Sequence, residues 1–151
     1  MSFADRLDDA LRELQHPCIV GLDPHPDLLP PEFAVVRDAR AARPERAQAL
    51  AAFCLELVDL CAGRVAALKP QSAFFELFGA DGAHAWERVV ARAHEAGLLV
   101  IGDVKRGDIA STAAAYATAY LEGLPGGDAA SLCDAITINP YLGDDAVRPF
   151  V

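Results

Sequence analysis

Basic residues are scarce in this chain of 151: 13 Lys and Arg stand against 22 Asp and Glu, for a net charge of −9. That balance excludes the clustered cations that nucleic acid or an anionic membrane surface demands, while leaving room for a local cationic pocket. No window supplies the ~18 uncharged apolar residues of a spanning helix. The opening MSFADRLDDALRELQ is acidic where a secretory signal would carry a basic segment and an apolar run, so a cytoplasmic chain is expected. Cysteines are few and scattered. Cys18, Cys54, Cys61 and Cys133 form no CxxC pair and have no histidines at zinc-finger spacing, so neither a disulfide framework nor a metal site is implied. They are expected to pack as small buried hydrophobes. His16, His25, His84 and His94 also lack ligand spacing and are expected at the surface or in packing. Only His25, just past the first apolar run, neighbours a candidate pocket. What the chain does have is 53% hydrophobic residues over one domain's length, enough for a core and too many for wholesale disorder.

The apolar pattern alternates between two periods. Ser2 reads as the cap of a first helix, with Asp5 in its first turn and Leu7, Ala10, Leu11 and Leu14 as its stripe. Cys18 to Asp23 reads as a buried strand ended by Pro24. Pro24 to Pro44 is loop, with a helical turn allowed between Glu32 and Arg40. From Pro44, Ala47, Leu50, Ala51, Cys54, Leu57, Val58 and Cys61 recur at helical spacing until Gly63. Val65 to Leu68 is a second strand ending in Lys69-Pro70. Trp86, Val89, Val90 and Ala93 mark a helix that stops at Gly97. Leu98 to Ile101 is a third strand, apolar throughout, as in a parallel sheet buried on both faces. Ile109 to Leu121 is a helix, Gly123 to Asp128 a turn-rich link, and Ala135 to Ile138 a fourth strand before Asn139-Pro140. Phe74, Phe75 and Phe78 are expected as core beneath a loop, and Trp86 as core on its helix. No short repeat or low-complexity linker interrupts the series.

Strands alternating with helices predict an α/β fold with a parallel sheet and right-handed crossovers. Asp23, Lys69, Asp103 and Asn139 close the four strands, 46, 34 and 36 residues apart, each interval one βα unit. In a (β/α)₈ TIM barrel the C-terminal strand ends build the active site, and here all four are polar. The densest group is Asp103-Val104-Lys105-Arg106-Gly107-Asp108. Strand alternation sends Asp103 and Lys105 to one side, and Gly107 permits a sharp turn before Asp108 opens the next helix. Lys69 adds a second cation from the neighbouring strand. A lone DxK at a surface would be a solvated ion pair contributing little. The apolar run that precedes this one, and the second lysine beside it, favour a built site.

These residues resemble a known family. Asp103-x-Lys105-x-x-Asp108-Ile109 is similar to the signature of orotidine 5′-phosphate decarboxylase. Gly21-Leu22-Asp23-Pro24, the run from Leu68 to Glu76, and Asn139-Pro140-Tyr141-Leu142-Gly143 resemble its longer bacterial branch. The resemblance implies conversion of orotidine 5′-monophosphate to uridine 5′-monophosphate and CO₂ in pyrimidine synthesis, without metal or organic cofactor. It implies that Lys105 stabilises and protonates the C6 carbanion and that Asp103 lies against the departing carboxylate. Lys69 and Asp108 would complete the charge network, Asp23 and Lys69 would meet the ribose, and Asn139 would lie near the pyrimidine. It also implies a homodimer in which Asp108, Ile109 and Thr112 reach into the partner's pocket. A fixed cation in a water-poor site suits that chemistry, and two flanking carboxylates would keep Lys105 charged.

An eight-stranded barrel needs ~250 residues. Four units fit before Val151, so residues 1–151 are expected to be the N-terminal part of one barrel domain. The phosphate-binding loops near strands 7 and 8 are then missing. Low activity of the chain alone and exposed strand edges are therefore expected. Two rival readings are a magnesium-dependent sugar-phosphate decarboxylase or aldolase of the same superfamily, and an inactive half-barrel. Lys69 opposes the first, because a cation at that strand end repels a metal.

Overall fold

The computed structural model describes residues 1–127 and 129–151. Its frame is a four-stranded parallel sheet in sequential order. The strands are β1 (Val20–Leu22), β2 (Ala67–Pro70), β3 (Leu99–Arg106) and β4 (Ala135–Ile138). Around them lie α1 (Phe3–Leu14), α2 (Arg43–Cys61), α3 (Ser72–Glu76), α4 (Gly79–Glu95), α5 (Ala110–Ala117) and α6 (Asp144–Val147). The helices expected from the period of 3.6 are present. Ser2 accepts from the Asp5 amide at 3.2 Å while the Asp5 carboxylate accepts from the Ser2 amide at 2.9 Å, a reciprocal cap. α2 buries Ala47, Leu50, Ala51, Cys54 and Val58 against α4, which returns Ala85, Trp86, Val89, Val90 and Ala93. Leu68 and Val100 of the central strands fill the space beneath them.

Several expectations need correction. The first strand is three residues long, and Cys18 and Ile19 before it are exposed rather than buried, because β1 has a neighbour on one side only. β3 does not stop at Ile101 but carries its ladder through the charged residues to Arg106. Phe75 and Phe78 are core, as expected, while Phe74 is half-buried; Phe74 and Phe75 lie on a short helix, α3. Phe75 is fully buried and meets Trp86 edge-on, with centroids 5.4 Å apart. Between Pro24 and Pro44 the chain takes 3₁₀ turns at Pro26–Leu28 and Pro31–Arg37. α5 begins after Ile109, which caps it, and continues as one π-helical turn over Thr118–Glu122. The link read from Gly123 ends on Asp128, which lies outside the described residues. After β4 the chain forms α6 and a 3₁₀ turn at Arg148–Phe150. All four cysteines are unpaired, and burial pushes the Cys54 and Cys133 thiols up to about 12.

His94 is a packing residue, as expected, with a charge partner the pattern did not show. Its Nε2 lies 3.0 Å from the buried Asp134 carboxylate, and its Nδ1 lies 3.1 Å from the Ala130 carbonyl. The same Asp134 also accepts from the Val100 amide and from Arg6 of α1, so α1, α4, β3 and the approach to β4 share one anion. The Asp134 bond raises His94 above its ordinary 6.5, against burial, which acts the other way. A raised folded value means that protonation stabilises. The contribution is complete below 6.5 and fades as pH climbs through the folded value. Urea unfolding between about pH 6 and about pH 9 is expected to show a loss on the order of 1 kcal/mol that His94→Gln abolishes. Identical pH dependence in both chains would contradict this.

Candidate active site

Four side chains from three strands and one loop converge on a single carboxylate. Asp103 projects from β3 and is buried, at 6% exposure. Its Oδ2 accepts from Lys69 Nζ of β2 at 2.5 Å and from Gln71 Nε2 at 3.0 Å. Its Oδ1 accepts from Lys105 Nζ at 2.6 Å and from Thr137 Oγ1 of β4 at 2.8 Å. Parallel pairing explains the convergence. Leu68 is opposite Val100, and the ladder resumes at a bridge between Gln71 and Asp103, so the lysine of β2 lies beside the aspartate of β3.

Burial by itself would raise the Asp103 carboxyl. The bonds from Lys105, Lys69 and Thr137, with the charge of Lys69, outweigh it and hold the group well below the usual carboxylate range. The centre is thus a fixed anion between two ammonium groups of different exposure. The Lys69 side chain is 30% exposed, whereas that of Lys105 is 64% exposed and open to the strand mouth. One lysine therefore reads as locked, and the other as presented.

Lys105 reaches Asp103, but not by simple strand alternation. Its backbone is left-handed, φ +46°, and the pairing of β3 with β4 shifts register between Gly102 and Arg106. Gly107 follows where the chain passes hard against β4's end: a Cβ there would lie 2.5 Å from the Asn139 carbonyl oxygen. Only glycine fits that approach.

Asp108 departs from expectation. Its Oδ1 accepts from the Ile109 amide at 2.7 Å, and it makes no ion pair with Lys105. Among the described residues Lys105 has one carboxylate partner, Asp103, because Asp108 turns to satisfy the amide at the start of α5. Ile109 is 63% exposed, and Thr112 is half-buried, its amide bonded to the Ile109 carbonyl. Asp23 is exposed beyond β1. Asn139 is exposed beyond β4, its amide donating to the Arg106 carbonyl at 2.7 Å. These five residues therefore ring the strand mouth without joining the charge cluster. His25 stands against Phe74, with ring centroids 5.2 Å apart.

Gln71 and Thr137 also belong to the cluster, though neither stands among the expected site residues. Gln71 follows Lys69 two residues on, the spacing that keeps one side of a strand, and that signal was available. Thr137 in Ala-Ile-Thr-Ile gave none beyond being polar in an apolar strand. Arg106 serves packing: it donates to Glu76 at 2.7 Å and to Tyr120 at 3.1 Å, with its guanidinium over the rings of Tyr116 and Tyr120. A cavity of about 290 Å³ lined by Phe75, Trp86, Arg106 and Tyr120 lies on that helix side, away from the lysines. Shape points there and charge points to the strand mouth. The charge cluster is the better guide, because it gathers the perturbed carboxylate.

The chain is similar to known proteins over nearly its whole length. Residues 17–151 match the model of the orotidine 5′-phosphate decarboxylase / HUMPS family. The chain belongs to that family. Orotidine 5′-phosphate decarboxylase of Rhodopirellula baltica is 42% identical over 153 aligned residues, covering 100% of this chain and 50% of that protein. The Streptomyces coelicolor protein of the same name is 44% identical, covering 99% of this chain and 49% of its own length. The solved structure of Leishmania donovani OMP decarboxylase superposes with a TM-score of 0.69 at 36% identity, over 99% of this chain and 49% of that one. Plasmodium berghei orotidine 5′-monophosphate decarboxylase reaches a TM-score of 0.77 at 17% identity, a likeness of fold alone. The chain spans about half the length of the curated relatives it matches. Its parallel sheet is accordingly about half of the (β/α)₈ TIM barrel of this family.

Proposed function

We propose that this chain carries the reacting charges of an orotidine 5′-phosphate decarboxylase and forms the N-terminal part, residues 1–151, of one barrel domain. The substrate is orotidine 5′-monophosphate, and the products are uridine 5′-monophosphate and CO₂. The observation that carries the reading is the Lys69–Asp103–Lys105 cluster, with both ammonium groups within hydrogen-bond distance of one buried carboxylate.

The bond between C6 and the carboxylate carbon breaks, its electron pair stays on C6, and CO₂ leaves. The Lys105 ammonium, exposed toward the mouth, faces that developing charge and then transfers a proton to C6. Solvent restores the proton on Lys105. Asp103 stays ionised, because three donors and the Lys69 charge hold it so, and it keeps the Lys105 ammonium in place. Asp23 and Lys69 meet the ribose, and Asn139 lies near the pyrimidine. No metal or organic cofactor takes part: the carboxylate that a cation would need is already held by Lys69. That favours the nucleotide reading over the magnesium-dependent sugar-phosphate one.

A homodimer completes each site, with Asp108, Ile109 and Thr112 reaching the partner's pocket. The exposure of Ile109 and the absence of an Asp108–Lys105 ion pair support that role. Four unpaired cysteines suit a cytoplasmic setting. Among the described residues no helix is long and apolar enough to cross a membrane.

The phosphate grip of such barrels lies near strands 7 and 8, so the remaining half contributes remote binding energy. Titration calorimetry with uridine 5′-monophosphate is expected to show weak binding to the 151-residue chain and tight, saturable binding once it is joined to the C-terminal half of the Rhodopirellula baltica relative. Absence of saturable binding by the joined chain would overturn the reading in favour of a bare scaffold.

A further inference from the structure

We propose that Thr137 is a positioning residue for the Lys105–Asp103 pair, its one hydroxyl holding both the left-handed backbone of Lys105 and the carboxylate of Asp103. The catalytic consequence rests on the decarboxylase reading; the holding itself rests on geometry.

The register of the sheet frames the problem. From Gly102 to Arg106 β3 advances four residues, while its partner β4 advances two, from Ile136 to Ile138. Thr137 stands alone opposite the surplus. Such a bulge re-aims a side chain and leaves backbone groups without ladder partners. Here the Lys105 amide donates to Thr137 Oγ1 at 3.0 Å, so a side chain replaces the missing carbonyl of the ladder.

Lys105 also holds a conformation that it does not favour. A non-glycine residue at φ +46° is strained and persists only where its surroundings enforce it. Gln15, the other such residue among those described, caps the end of α1, where left-handed geometry is ordinary. Lys105 has no helix end to explain it. What it has is a closed ring of hydrogen bonds. Its amide gives to Thr137 Oγ1, Thr137 Oγ1 gives to Asp103 Oδ1, and Lys105 Nζ gives to the same Oδ1. A hydroxyl can close that ring because it is donor and acceptor at once. β-branching restricts χ1 and keeps the oxygen aimed. Valine has the same outline and neither capability.

The test compares wild type with Thr137→Val, Thr137→Ala and Thr137→Ser. In the 151-residue chain, NMR follows the titration of the Asp103 side-chain carboxyl and the exchange of the Lys105 amide. Valine and alanine are expected to move the carboxyl midpoint upward and to speed amide exchange by about tenfold, while serine restores both. In the chain joined to the C-terminal half of the Rhodopirellula baltica relative, valine is expected to lower kcat about 10²-fold with KM within about threefold, as for a misplaced catalytic group. Serine is expected to recover most of that loss. Alanine adds no bulk, so it reads the lost hydroxyl if the valine chain does not fold. An unchanged Asp103 titration and Lys105 amide in a folded valine or alanine chain would overturn the proposal. So would an unchanged kcat beside shifted NMR signals. If the joined wild type is inactive while the NMR response appears as expected, the positioning stands and the decarboxylase reading fails.

Discussion

Replacing Lys105 with alanine in the completed enzyme is expected to lower kcat/KM for orotidine 5′-monophosphate about 10⁴-fold, with the affinity for uridine 5′-monophosphate far less affected. The size follows from what one side chain does twice. On the proposed mechanism it would, as a fixed cation, offset negative charge developing on C6, an effect on the order of 10²–10³ for a single preorganised donor. As the proposed acid it would also supply the proton, a contribution on the order of 10²–10⁴. Because one group makes both, the losses do not simply multiply. Lys105→Arg separates them: the charge stays, but a guanidinium does not release its proton at working pH, so the variant should remain deeply impaired. Initial rates of CO₂ release measure this. An alanine variant keeping more than about a tenth of the activity would remove Lys105 from the chemistry.

Gly82→Ala is expected to destabilise the fold by about 3 kcal/mol, because an added Cβ meets a closer obstacle there than at any other glycine. Alanine is ordinarily the better helix former by roughly 1 kcal/mol, so propensity alone predicts the opposite sign. Packing decides against it. A Cβ on Gly82 would lie 1.8 Å from the Phe75 carbonyl oxygen and 3.1 Å from the Phe78 Cβ. No rotamer relieves a clash with backbone, so α3 and α4 must part. That movement would withdraw Phe75 from Trp86 and Glu76 from Arg106, one residue from Lys105. Trp86 is the sole tryptophan, so urea unfolding followed by its fluorescence reads both stability and the loss of that contact. A variant as stable as wild type would show that the two helices are not so tightly seated.

Much of this arrangement could be read from residue order. Helices with one apolar face, such as α2 from Ala47 to Val58, announce themselves, because burial of one stripe repeats every 3.6 residues. Lys69, Asp103 and Lys105 were legible because charges rarely end runs such as Leu-Leu-Val-Ile without a reason. What was hidden depends on partners remote in sequence. The end of β3 depends on β4, which carries the ladder on through a bulge. Asp108 looked like a second anion for Lys105, but a nearer donor, the Ile109 amide, claims it. Thr137 is 34 residues from Asp103, and nothing local records that the two meet. α3 was not assigned as an element because five residues are too few to show a helical period.

The most direct measurement is the loss of orotidine 5′-monophosphate absorbance catalysed by the chain joined to the C-terminal half of the Rhodopirellula baltica relative, with a chelator present and then with added magnesium. The account predicts turnover at full rate in the chelator, no gain from magnesium, and loss of that turnover in Lys105→Ala. Turnover that requires magnesium, or that proceeds only on a sugar phosphate, would contradict it.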